Sequence, residues 1–191
     1  MIFAAALTAI IAGMWLLWGA IWAAAAFRTK PTRWRESFGS RASHEILLLA
    51  AAALLAERRW LPPALSEPFV PTGIVLPAVG AAMVAAGLGF AVWARAHLGR
   101  NWSGIITVKE GHTLVRTGPY RIVRHPIYTG LLLAVIGTAA AIGEWRGVLA
   151  VICVLVGFLR KIQVEERRMS ENFPEHAQYR RDTAILIPWL Y

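Results

Sequence analysis

Long uncharged runs alternate with basic segments along the chain. Three runs, residues 1–27, 72–94 and 126–143, are long enough as helices to cross a hydrocarbon core, which requires about 20 apolar residues. Two shorter runs, 46–56 and 147–159, become spans if the arginines at their ends extend towards the lipid headgroups. The pattern therefore predicts an all-α integral membrane protein with about five transmembrane helices.

Lysine and arginine are distributed unevenly between the two sides that five spans define. Segments 28–44, 95–125 and 160–191 hold 17 of the 20 basic residues, and segments 57–71 and 144–147 hold the other 3. Basic residues accumulate in cytoplasmic loops. We therefore predict that the N-terminus lies outside and the C-terminus in the cytoplasm of a bacterial inner membrane.

Overall composition adds little to this topology. The formal net charge of +9 is typical of a nucleic-acid-binding protein, but its sidedness assigns it to anionic lipid and the cytoplasm, so no nucleic acid partner is expected. The single cysteine, Cys153, lies in an apolar run and excludes an internal disulfide. We predict no metal site.

The chain divides into two predicted regions. Residues 1–94 form a transmembrane scaffold of helices one to three, whose small residues allow close helix contact. Residues 95–191 form a candidate catalytic region with a cytoplasmic loop, a helical hairpin and a cytoplasmic tail. The loop 95–125 is too polar to span, and loops of such length are usually functional. A tight turn at 144–147 makes helices four and five antiparallel.

The stretch 118–130, "GPYRIVRHPIYTG", is the most polar segment directly before a span. Pro126 suits the first turn of the fourth helix, which leaves His125 beside free backbone N–H groups at the positive end of the helix dipole. Arg124 adds charge to a place already suited to a carboxylate or phosphate. The residues alone leave two interpretations open, an anion site and an interfacial anchor.

A second polar group lies in "LRKIQVEERRMSENF", residues 159–173. Helical spacing places Glu166 on the same inward face as Ile162, and places Glu165 four residues after Lys161. An inward carboxylate near the membrane requires a cation, which either Arg124 or a ligand can provide. Because the hairpin brings both polar groups to one end, we predict a site for a zwitterion such as an amino-acid headgroup.

These segments resemble a known family. "HTLVRTGPYRIVRHPIYTG" (112–130), "EERRMSENF" (165–173) and "YRRDTAILIP" (179–188) are similar to the isoprenylcysteine carboxyl methyltransferases, in a membrane superfamily that includes the phospholipid N-methyltransferases. The signature is Arg-His-Pro-x-Tyr-x-Gly with a downstream Glu-Glu, and the resemblance covers the C-terminal half. His176 stands where the family often has a tyrosine.

The resemblance implies that S-adenosylmethionine is the cofactor and that the acceptor is a lipophilic small molecule or prenylated group entering from the bilayer among membrane lipids. It implies methylation of a carboxylate, which is ionised at neutral pH and requires no general base. The residues that it assigns to the cofactor are His125, Tyr128, Gly130, Tyr120, Leu114, Val115, Glu165 and Glu166. Those that it assigns to catalysis are Arg124, Glu166 and Arg160, with Arg160 or Lys161 facing the acceptor.

Three other functions stay open. A lipid N-methyltransferase would require a base for its amine acceptor, and His125 or His176 would be a candidate. A nicotinamide-dependent membrane reductase would bind a different cofactor. A non-catalytic membrane assembly factor would bind none.

Overall fold

The computed structural model of the chain describes residues 2–26, 32–56, 59–70, 73–99, 102, 107–109 and 114–190. Within these residues it contains six α-helices and two short strands. The helices are α1 (Ile2–Ala26), α2 (Phe38–Ala56), α3 (Val75–Leu98), α4 (Pro126–Ile142), α5 (Trp145–Asn172) and α6 (His176–Asp182). The strands β1 (Thr32–Arg35) and β2 (Thr107–Lys109) pair antiparallel and link the segments after α1 and α3.

The predicted all-α membrane fold is confirmed. By length and composition, α1, α2, α3 and α5 can each cross a membrane, and α4 is a shorter apolar helix of 17 residues. At 1.5 Å per residue α4 measures about 25 Å and α5 about 42 Å. Because a hydrocarbon core is about 30 Å thick, the last turns of α5 extend beyond it.

Helix α2 begins eight residues before the uncharged run predicted at 46–56. Ser37 lies just before its first turn, and its Oγ accepts a hydrogen bond from the backbone N–H of Ser40 at 3.4 Å. This is the hydrogen bond of a helix N-cap, which satisfies an otherwise free backbone donor. The basic segment after α1 is therefore partly helical rather than a continuous loop.

Successive long helices alternate in direction. Gly80 and Gly87 of α3 contact Gly137 and Gly130 of α4, so the two helices run antiparallel. The turn between α4 and α5 uses Gly143 in the left-handed conformation, with a φ of 66°, and α5 starts directly after Glu144. The alternation brings the end of α3, the start of α4 and the end of α5 to one end of the bundle, as the predicted topology requires.

Gly130 lies in the contact between α3 and α4. A Cβ atom placed on Gly130 would be 2.5 Å from the carbonyl oxygen of Gly87, and one on Gly137 would be 2.6 Å from that of Gly80. Small residues of this kind let helices pack backbone against backbone in a membrane. The structure therefore gives Gly130 a packing role.

The division at residues 94 and 95 stays a prediction. Helix α3 continues through it to Leu98, and α2 packs along α5, where Gly157 contacts Leu48. The scaffold and the catalytic region thus contribute helices to the same bundle.

Candidate active site

The stretch before α4 is held by the C-terminal segment. The backbone N–H groups of Arg124 and His125 donate to the carbonyls of Ala184 and Ile185 at 2.9 and 3.1 Å. The Thr129 hydroxyl donates to the carbonyl of Leu186 at 2.7 Å. Residues 184–186 therefore run beside the start of α4 and fix the backbone from which the predicted anion-binding side chains project.

Arg124 is buried and donates hydrogen bonds through Nε and Nη1. Its Nε donates to Glu166 Oε1 at 3.1 Å. Its Nη1 donates to the carbonyl of Arg180 at 3.0 Å and to that of Thr183. The side chain is 6% exposed. A charged hydrogen bond of this kind is stronger than a neutral one, so Arg124 joins α4, α5 and the C-terminal segment.

His125 contacts both members of the carboxylate pair, which we define as Glu165 and Glu166. Its Nε2 lies 2.9 Å from Glu166 Oε1 and its Nδ1 lies 3.4 Å from Glu165 Oε2. Burial by itself lowers the pKa of His125, but hydrogen bonds and charge interactions with the carboxylate pair outweigh it, and the net shift is upward. The contacts with the two carboxylates therefore favour the imidazolium form of His125.

Tyr128 extends this arrangement along α4. Its hydroxyl donates to Glu165 Oε1 at 2.6 Å. Its ring stacks on Phe158, with centroids 4.8 Å apart, and Lys161 Nζ lies 5.5 Å from the ring centroid. Glu165, which follows Lys161 by four residues on α5, therefore faces the N-terminal turn of α4.

Two residues of the C-terminal segment also approach Glu166. His176 is 1% exposed, with Nδ1 3.0 Å from the Ser170 hydroxyl and Nε2 3.8 Å from Glu166 Oε1. Burial lowers the pKa of His176. Arg180, which is half-exposed, places Nε 3.4 Å from Glu166 Oε2. Sequence reasoning gave Arg180 no role, although the segment "YRRDTAILIP" that contains it belongs to the resemblance.

The other predicted site residues lie further from this centre. Tyr120 is buried, burial raises its pKa, and its carbonyl accepts a hydrogen bond from the Tyr179 hydroxyl at 2.6 Å. Leu114 and Val115 are half-buried in the segment that leads to it. Arg160 is exposed and makes no ion pair with another described residue. Glu165 and Glu166 follow it by five and six residues, which is roughly one and a half helical turns. Arg160 therefore lies on the opposite side of α5 from the carboxylate pair.

A family model for phospholipid methyltransferases matches residues 75–176, more than half of the chain. The chain belongs to the phospholipid methyltransferase family. The matched range begins at the first residue of α3 and ends at the first residue of α6. It includes Arg124, His125 and the carboxylate pair, so most of the polar centre lies within the range that the family model matches.

Individual relatives agree with this assignment over half of the chain. A cobalt-zinc-cadmium resistance protein, CzcN of Cupriavidus metallidurans, is 36% identical over 98 residues, which are 50% of this chain and 45% of that protein. A nickel-cobalt-cadmium resistance protein, NccN of Alcaligenes xylosoxydans xylosoxydans, is 33% identical over 98 residues, 50% of this chain and 46% of that protein. The protein-S-isoprenylcysteine O-methyltransferase of Saccharomyces cerevisiae is 33% identical over 96 residues, 48% of this chain and 40% of that enzyme.

The predicted resemblance to isoprenylcysteine methyltransferases is therefore confirmed. The alignments span less than half the length of these relatives. The activities of the whole relatives accordingly apply to this phospholipid methyltransferase family member only as proposals.

Proposed function

We propose that the chain transfers a methyl group from S-adenosylmethionine to a lipophilic acceptor that enters from the bilayer. The observation that carries this proposal is the carboxylate pair in contact with Arg124, His125 and Tyr128 at the start of α4. Membership of a methyltransferase family supports it. The proposed setting is the inner membrane of a bacterium, with the site facing the cytoplasm, in agreement with the distribution of basic residues.

The donor set fits the amino-acid portion of S-adenosylmethionine, which carries a carboxylate and an ammonium group. Arg124, His125 and Arg180 contact Glu166, and His125 also contacts Glu165, so three cationic groups face two carboxylates and one positive charge is available to an anion. The carboxylate pair accepts hydrogen bonds from an ammonium group. When bound, the cofactor would supply an electrophilic methyl group on a sulfonium sulfur.

The protein's own contribution is alignment and exclusion of water. Arg124 and His125 orient the anionic end, Glu165 and Glu166 orient the cationic end, and Tyr128 fixes Glu165 through its hydroxyl. Holding two reactants in line removes most of the entropic cost of a displacement reaction. In this proposal Tyr120, Leu114 and Val115 flank the cofactor beyond its amino-acid portion, and Gly130 acts by packing α4 against α3.

The acceptor chemistry has two candidates. The Saccharomyces cerevisiae relative is named for O-methylation of isoprenylcysteine, which supports a carboxylate acceptor. In that case Lys161, beside Tyr128, is the proposed cation for the acceptor carboxylate, because Arg160 lies on the opposite side of α5 from the carboxylate pair. The description of the family model, a phospholipid methyltransferase, supports a lipid amine instead.

The decisive experiment compares two glutamates on α5. In purified protein, Glu166→Gln should remove calorimetrically measured binding of S-adenosylmethionine, because it removes the carboxylate that Arg124 and His125 share. Glu171→Gln is the matched control, since Glu171 pairs only with the exposed Arg167 and Arg168 among the described residues. Unchanged affinity in Glu166→Gln would overturn the site.

A second measurement addresses the activity. Membrane extracts incubated with labelled S-adenosylmethionine and the purified protein should yield a labelled lipophilic product by mass spectrometry. Binding of reduced nicotinamide in place of S-adenosylmethionine would support the reductase alternative. Binding of neither would support a non-catalytic assembly factor.

A further inference from the structure

A buried acid and a buried imidazole lie at the start of α2, apart from the residues described so far. The side chains of Glu36 and His44 are 2% and 3% exposed. The Ser40 hydroxyl donates to Glu36 Oε1. The other oxygen, Glu36 Oε2, and the ring nitrogen His44 Nδ1 have no hydrogen-bond partner in the part of the chain that the structure describes. Buried polar atoms are nearly always paired, so two such atoms in one place point to a ligand.

The register of α2 against α5 places this pair next to the carboxylate pair. A Cβ atom on Gly157 would lie 3.4 Å from the His44 carbonyl oxygen, so these two residues are opposite each other. The helices run antiparallel, because Arg146 near the start of α5 donates to the Leu54 carbonyl near the end of α2. Glu36 lies two residues before the first turn of α2 and eight before His44, and Glu165 lies eight residues after Gly157 on α5, so both carboxylates lie towards the same end of the two helices.

The electrostatic neighbours agree with this register. His44 interacts with the charges of Glu36 and Glu45 from its own segment and with those of Lys161 and Glu165 from α5. Glu36 in turn interacts with the Tyr128 hydroxyl of α4. Arg124 and His176 approach the carboxylate pair through Glu166, whereas α2 faces it from the side of Glu165 and Tyr128. The Glu36–His44 pair therefore faces the carboxylate pair from a different side than Arg124 and His176 do.

The unpaired atoms favour a hydrogen-bond donor. Nε2 of His44 lies 3.8 Å from Glu36 Oε2, too far for a direct hydrogen bond. In a neutral imidazole whose Nε2–H faces Glu36, Nδ1 is an acceptor, as is Oε2. A carboxylate nucleophile has no proton to donate to such a pair. A protonated amine has several.

We propose that Glu36 and His44 form a proton-accepting pair on the acceptor side of the site and select an amphiphile whose nucleophilic atom is a protonated nitrogen. The inference rests on the proposed methyl transfer. The ammonium group donates to Glu36 and passes one proton to His44, which becomes an imidazolium beside the Glu36 carboxylate. The freed nitrogen lone pair forms the bond to the methyl carbon, the carbon–sulfur bond breaks, and its electron pair stays on sulfur.

The pair lies outside residues 75–176, the range that the family model matches. Acceptor selectivity would therefore reside in a part of the chain that the family signature does not include. Ser40 orients the carboxylate of this pair. Its hydroxyl binds Glu36 Oε1, so Oε2 is the oxygen that faces His44.

The test uses the full chain in phosphatidylcholine nanodiscs, since this lipid has a fully methylated nitrogen. Dodecylamine and dodecanoic acid are the two probes, matched in chain length, with labelled S-adenosylmethionine. We expect base-stable N-methylated dodecylamine. In Glu36→Gln and His44→Gln, its formation should fall about 100-fold, the usual contribution of a general base, and the acidic limb of the pH–rate profile should disappear. The affinity for S-adenosylmethionine should stay unchanged.

Glu45→Gln is the matched control, because Glu45 is adjacent to His44 but exposed and paired with Arg41 at 2.6 Å. A readout independent of turnover is calorimetric binding of dodecylamine to the protein alone, which should weaken in Glu36→Gln and not in Glu45→Gln. This binding measurement still tests the inference if His44→Gln fails to fold.

Two results would overturn the inference alone: a base-labile methyl ester as the wild-type product in place of the amine, or unchanged amine methylation in both variants. A wild-type protein that does not bind S-adenosylmethionine would instead overturn the proposed function.

Discussion

Two arginines, Arg146 and Arg124, are buried at opposite ends of the bundle and are held in the same way. Each directs Nε to one carboxylate and Nη1 to two backbone carbonyls. For Arg146 the carboxylate is that of Glu144 at 2.6 Å, and the carbonyls are those of Leu54 and Leu55 at 2.8 and 3.2 Å. A cation that binds the last carbonyls of a helix stabilises its C-terminus, so Arg146 joins α2 to the turn before α5.

The two arginines differ in the surroundings of the carboxylate that each one contacts. Glu166 is approached within 4 Å by Arg124, His125, His176 and Arg180, at 3.1, 2.9, 3.8 and 3.4 Å. Arg146 has a structural role, because it joins Glu144 to the last carbonyls of α2. A surplus of titratable groups around one buried carboxylate is instead typical of a functional site. Burial and pairing alone would not have distinguished the two ends.

The largest effect is expected from Arg124→Met. Methionine keeps much of the apolar volume but leaves Glu166 without its buried partner, and removing one member of a buried ion pair costs about 3–5 kcal/mol. Both the thermal stability in detergent and the calorimetric affinity for S-adenosylmethionine should fall, the affinity by more than about 100-fold. Wild-type affinity for S-adenosylmethionine in this variant would show that Arg124, like Arg146, only stabilises the fold.

Arg146→Met should separate stability from binding. The buried pair with Glu144 is lost, so the free energy of unfolding should fall by about 3 kcal/mol. The affinity for S-adenosylmethionine should stay at the wild-type value, since Arg146 lies at the far end of α5 from the carboxylate pair. Thermal unfolding and calorimetry on the same preparation measure both quantities. A parallel loss of affinity would contradict the distinction between the two ends.

The helices could be predicted from the sequence for a physical reason, and so could the proximity of the two polar segments 118–130 and 159–173. Uncharged runs and the sidedness of basic residues fix the spans, and the short turn after α4 forces the start of α4 beside the end of α5. The inward phase of Glu166 followed from its helical spacing with Ile162, which is buried. The same phase argument, applied to Arg160, places that side chain on the opposite side of α5.

What the sequence could not predict depends on contacts between distant segments. The return of residues 184–186 to the start of α4 has no signal in hydropathy, yet it supplies the hydrogen bonds that fix Arg124. Gly130 belongs to the family signature, and only the structure shows that it packs on Gly87. Glu36 and His44 belong to a segment that reads as an ordinary basic loop, because burial of a polar pair depends on which helix covers it.

The smallest effect is expected from a substitution of His176, one of the side chains that approach Glu166. It is measured as a change in the pH dependence of stability. Burial lowers its pKa from the ordinary value of 6.5, so the folded protein resists protonation where the unfolded chain accepts it. Its contribution to stability is present above 6.5 and is lost as the pH falls through the lowered value. The raised pKa of His125 acts in the opposite direction, because its contribution is present below 6.5 and is lost as the pH rises through the raised value.

The two contributions can be separated with one substitution. In His176→Asn the loss of stability between neutral and mildly acidic pH should be smaller than in the wild type, measured as thermal unfolding in detergent. The upper limb, which His125 controls, should persist. Arg146→Met should keep the wild-type pH dependence despite its lower stability, because Arg146 lies at the opposite end of α5 from His125 and His176. An unchanged acidic limb in His176→Asn would assign that limb to other groups and leave His176 as a packing residue.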